Sequence, residues 1–60
     1  MSKDEIFIEF TVQGNFVKAT AIHSATGREA CIMGPVSSPR AALAQAAVRK
    51  LEYVMNKKEG

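Results

Sequence analysis

The sequence predicts an α+β fold: a three-stranded antiparallel β-meander followed by one C-terminal α-helix packed on one sheet face. Three observations carry this. Residues 6 to 13 alternate between two sets of side chains, two glycine-containing turn signals follow at hairpin spacing, and an alanine-rich stretch runs unbroken from a serine-proline start.

In the first segment Ile6, Ile8, Phe10 and Val12 fall on one side, and Phe7, Glu9, Thr11 and Gln13 on the other. That is the period of a half-buried strand. Gly14-Asn15 then suits a two-residue turn of type I′ or II′. Such a turn sets Gln13 opposite Phe16, Val12 opposite Val17, and so on to Phe7 opposite Ile22. One face collects Ile6, Ile8, Phe10, Val12, Val17, Ala19 and Ala21. The other collects Phe7, Glu9, Thr11, Phe16, Lys18, Thr20 and Ile22. A one-residue slip would mix the two sets, so pattern and turn agree.

The next punctuation is "HSATGRE", where Gly27 can supply a left-handed residue to a hairpin loop. A third strand from Arg28 to Met33 follows, ended by Gly34-Pro35. A four-residue loop places Ala30 and Ile32 on the core face, and a three-residue loop places Cys31 and Met33 there. The first is preferred, because branched Ile32 suits a strand core.

The stretch "SSPRAALAQAAVRKL" starts the helix. Ser38 suits the N-cap and Pro39 the first helical position. Alanine is the best helix former, so the helix is expected from 39 to about 57. Leu43, Ala44, Ala47, Val48, Leu51, Val54 and Met55 form an apolar stripe at helical spacing. Gln45, Arg49, Glu52 and Asn56 lie opposite, with Ala42, Ala46 and Tyr53 on a flank.

Sixty residues fit one domain, 1–60, near the lower limit for independent folding. Cys31 is the only cysteine and His23 the only histidine, which excludes an intrachain disulfide and a Cys/His zinc cluster. No cofactor or metal is expected. The start lacks the basic and apolar regions of a secretory signal, and no apolar run reaches membrane-spanning length. A cytoplasmic protein is the expectation, and a lone free cysteine fits a reducing compartment.

Chemistry-bearing motifs are sparse. Gly27 and Gly34 read as turn punctuation rather than a phosphate loop. His23 and Cys31 are the only candidates for a nucleophile–base pair, and the preferred register points them to opposite faces, with His23 at the rim. No enzyme is expected. Arg28 and Glu29 read as charges that protect a sheet edge.

The uncovered sheet face should be polar, yet it holds Phe7, Phe16 and Ile22. These three are the candidate protein interface, for a homodimer or an accessory subunit. Stacking these faces is preferred to packing the Ala42, Ala46 and Tyr53 flank, because aromatic rings bury more apolar area. The alternative is a nucleic-acid module, binding double-stranded RNA or DNA through Arg40, Arg49, Lys50, Lys57 and Lys58. Eight basic against six acidic residues make only a mild excess, and these five do not share one helix face. A binder that neutralises several phosphates would also weaken steeply with salt.

The strand-strand-strand-helix order resembles the C-terminal half of a double-stranded-RNA-binding domain. Ser38, Ala42, the pair Ala46-Ala47 and Leu51 fall at positions matching that family's helix start. Of the lysines there, only Arg40 keeps a charge, with Pro39 and Leu43 at the other positions. The family's first helix, which reads the minor groove, has no counterpart. Over nearly its whole length the chain also resembles a family of short alphaproteobacterial proteins of unknown function. The "EFTVQGNFVKATAI" hairpin, the "ATGRE" turn and "GPVSSPRAALAQAAVRKLEYV" carry that likeness. It implies the same fold and location, and no activity.

Overall fold

The computed structural model describes residues 5–56. Three strands, β1 (Ile6–Gln13), β2 (Phe16–His23) and β3 (Glu29–Pro35), precede one helix, α1 (Arg40–Asn56). The sheet is antiparallel with β2 in the middle. This is the expected α+β meander with its C-terminal helix against the sheet.

The first hairpin has the expected register, from Gln13 opposite Phe16 to Ile6 opposite His23. Gly14 takes φ +60 and Asn15 has no positive φ, so of the two admissible turns the chain adopts type II′. The second loop has four residues. Ile22 faces Glu29, and His23 N–H donates to Arg28 C=O at 2.8 Å. Gly27 ends this loop at φ +78, the left-handed conformation that a glycine adopts without strain. Ala30 and Ile32 therefore face the helix, while Cys31 is exposed on the other side.

β3 runs through Gly34 and Pro35 instead of stopping before them. Both residues fit for physical reasons. A Cβ on Gly34 would lie 2.7 Å from Leu43 Cδ2, so any side chain here would have to displace Leu43 beneath the helix. Pro35 lies where β3 turns its backbone N to the free edge, so no ladder bond is lost. At the helix start, Ala42 and Leu43 N–H both donate to Pro39 C=O, at 3.1 and 3.2 Å. The cap thus falls on Pro39, one residue after the serine expected to hold it, and the described helix ends at Asn56.

The buried core consists of Val17, Ala19, Ala21, Ala30, Leu43, Ala47 and Leu51. Among the described residues only Leu51 and Val17 are both large and fully buried. Four of the seven are alanines, and they allow the helix to lie close on β2 and β3. The helix packs mainly on these two strands. A helix is about 10 Å across and strands lie about 4.8 Å apart, so one helix covers about two strands.

This corrects the expected core. Ile6 and Ile8 are only half-buried, and Phe10 and Val12 remain 40% and 56% exposed. Their side chains do point to the helix side of the sheet, but the helix is not above them. His23 is corrected too: it is buried rather than at the rim, and Thr26 Oγ1 lies 2.9 Å from its Nδ1.

Candidate functional site

β1 is the incomplete part of the molecule. Its helix-side row begins half-buried at Ile6 and Ile8 and emerges at Phe10 and Val12. Beside it runs the helix flank, where Ala44, Gln45, Val48 and Arg49 line a shallow groove of about 380 Å³. Ala44 and Val48 are half-buried, whereas Gln45 and Arg49 are exposed. A second hollow, near the other end of β1, is lined by Ile6, His23, Glu52, Met55 and Asn56. The Arg40 guanidinium stands 5.5 Å from the centre of the Phe10 ring, a cation–π distance.

The two sheet edges differ. In an antiparallel pair, successive residues turn their N–H and C=O alternately toward and away from the neighbour. Ser24 N–H donates to Glu5 C=O at 2.9 Å, which marks the odd-numbered residues of β1 as those turned toward β2. Ile6, Ile8, Phe10 and Val12 therefore present their backbone groups at the free edge. On β3 the outward residues are Glu29, Cys31, Met33 and Pro35, because His23–Arg28 is a bonded pair. That edge is partly obstructed. Lys50 Nζ donates to Cys31 C=O at 3.0 Å. Arg28 Nη1 reaches Val54 C=O at 3.3 Å and ties the loop to the last helical turn. Charge and proline on an edge discourage strand pairing. β1 has no proline, and its only charge within the strand is Glu9.

The residues singled out from sequence are placed as follows. Phe7 and Ile22 are direct cross-strand neighbours on the open face, as expected. Phe16 is on the same face but pairs with Gln13 and Pro35, six residues along β2 from Ile22. At the usual strand rise that is about 20 Å, so the three make two patches. Phe7 and Phe16 are 54% and 51% exposed, and Ile22 is half-buried. Of the basic residues, Arg40 lies over Phe10, Lys50 latches the β3 edge and Arg49 lines the groove. Lys57 and Lys58 lie outside the described residues.

Sequence reasoning missed Phe10 and Val12, which it assigned to the core. A signal was present. The helix-side residues of β2 and β3 are mostly small (Ala19, Ala21, Ala30 and Gly34), whereas those of β1 are large. Small residues mark the strands that a helix can approach closely.

A family model, DUF6898, a domain of unknown function, matches residues 3–58. The chain belongs to the DUF6898 family. The match covers the whole meander and the helix, so the groove and both edges lie within the family's domain. No curated protein and no solved structure shows significant similarity to the chain. Among the described residues, no three His, Cys, Asp or Glu side chains gather as a metal site. No helix there is long and apolar enough to cross a membrane.

Proposed function

We propose that the chain is a non-enzymatic protein-interaction module, a bacterial cytoplasmic protein of the alphaproteobacterial type, acting as a homodimer or an accessory subunit. The observation that supports this reading is the state of β1. Among the described residues its backbone edge is free, and Phe10 and Val12 are exposed on the face that the rest of the sheet buries. A polypeptide added to this edge would satisfy the outward backbone groups and cover the apolar row together. That is how strand addition recognises proteins.

Duplex RNA or DNA binding is the competing reading. Arg40, Arg49 and Lys50 point to three different tasks on the surface: a ring, a groove and an edge carbonyl. They make no continuous stripe of the kind that follows a phosphate backbone.

Photo-crosslinking in the producing cell separates the two. A benzoylphenylalanine placed at position 12 is expected to give protein adducts. The same group at position 33, on the open face, is the control and should give far fewer. An adduct removed by nuclease rather than protease would support the nucleic-acid reading instead. No adduct at position 12 would overturn the interaction reading.

A further inference from the structure

We infer that β1 pairs antiparallel with β1 of a second copy, about a two-fold axis at Phe10, to give one six-stranded sheet. This rests on the interaction-module reading and names its partner.

The free edge restricts how two copies can meet. Outward backbone groups belong to Ile8, Phe10 and Val12, so these must face one another for hydrogen bonds to form. The same three residues carry the helix-side row. Only registers that pair even with even therefore satisfy the backbone and keep both apolar rows on one side.

Charge separates the register centred on Phe10 from its two neighbours centred on Glu9 and Thr11. With Phe10 opposite the partner's Phe10, Ile8 meets Val12 and Glu9 meets Thr11. Three bonded pairs then form, each exchanging two hydrogen bonds. In the monomer Thr11 pairs with Lys18 and Glu9 with Thr20. Across the joined sheet a row therefore reads Lys18, Thr11, the partner's Glu9, the partner's Thr20. Lys18 and the partner's Glu9 stand two strand spacings apart, about 9.6 Å, within the joint reach of a lysine and a glutamate side chain. The two-fold axis makes this contact twice. Moving the axis to Glu9 sets two glutamates face to face, which is destabilising. Moving it to Thr11 leaves Glu9 opposite Gln13 and shortens the ladder.

The second edge supports the choice. Lys50 bonded to the Cys31 carbonyl, together with Pro35, discourages pairing along β3. A blunted β3 and an open β1 favour a dimer over further growth, as a closed two-fold assembly requires.

Sedimentation equilibrium of the full chain tests this, with circular dichroism to confirm folding. The parent is expected to be a reversible dimer with micromolar affinity. Phe10→Pro should be a folded monomer, because the lost N–H faces outward and takes nothing from the β1–β2 ladder. Glu9→Lys and Lys18→Glu should each weaken the dimer about three- to tenfold, as expected for a surface ion pair made twice. The double exchange should restore affinity to near the parent's.

A dimer that survives Phe10→Pro, or a double exchange that restores nothing, overturns the inference. If Phe10→Pro does not fold, the charge exchange decides alone. A parent that stays monomeric at millimolar concentration also overturns it. Crosslinked adducts to a different protein at position 12 would then leave the interaction reading standing, whereas their absence would remove both.

Discussion

Leu51→Ala is expected to unfold the domain at room temperature or leave it near its midpoint. Leu51 is fully buried, and with Val17 it is one of two large side chains wholly inside among the described residues. It lies mid-helix, between Ala47 and Met55 on the packed stripe, against a core otherwise rich in alanine. Removing a buried leucine side chain costs about 2–5 kcal/mol. A core of this size without a disulfide or metal rarely supplies more than about 3–5 kcal/mol in all. The neighbours offer little compensation, because alanines have no side-chain reach with which to fill the cavity. A thermal melt followed by circular dichroism measures the effect. A mutant that melts with the parent would show that the helix packs through a different face.

Gly34→Val is the second large effect, and its sign is a contest between two terms. Valine favours strands, and removing a glycine from a strand interior relieves an entropic penalty of about 0.5–1 kcal/mol. Against this, the first added carbon would lie 2.7 Å from Leu43 Cδ2. Leu43 is buried and starts the packed stripe, so it has nowhere to retreat without lifting the first helical turn. Overpacking of this kind costs about 1–3 kcal/mol, and valine carries two further methyls into the same space. The expected result is a net loss that lowers the melting temperature by about 5–15 °C in a domain of this size. Combining Gly34→Val with Leu43→Ala should cost less than the sum of the two, because they compete for one volume. A melting temperature equal to or above the parent's would mean that the Leu43 side chain moves aside at little cost and that Gly34 is not needed for close packing.

Gly34 shows where sequence reasoning stops. Followed by proline, it looks like a turn, and nothing local reveals a helix passing overhead. By contrast, the β1–β2 register was legible because two independent features agreed: the Gly14-Asn15 turn and the alternation on both strands. The four-residue loop was legible through Ile32, whose burial demanded one parity of β3. The helix was legible from spacing alone, and Leu43, Ala47 and Leu51 are its buried residues as the stripe requires.

Alternation says which side of a strand faces the core. It does not say whether anything lies above. Phe10 and Val12 therefore read as core residues, although the single helix rests on β2 and β3. The same limit hid the candidate site. The alternation points to exposed apolar residues on the open face, at Phe7, Phe16 and Ile22, and by itself gives no sign of a bare row on the helix side. The Lys50 contact with the Cys31 carbonyl was equally invisible, since it joins residues nineteen apart through a side chain and a backbone oxygen. Without it, Pro35 and the charges of Arg28 and Glu29 are all that set the β3 edge apart from β1.

Amide hydrogen exchange along β1, read residue by residue in dilute and in concentrated solution, tests most directly whether this strand is paired on one side only and completed by a second copy. Amides turned into the β1–β2 ladder, those of Phe7, Glu9 and Thr11, should exchange slowly at both concentrations. Those of Ile8, Phe10 and Val12 should exchange fast when dilute and become protected when concentrated. A concentration-independent pattern would contradict this, whether the even-numbered amides stayed fast throughout or were already as slow as their neighbours in dilute solution.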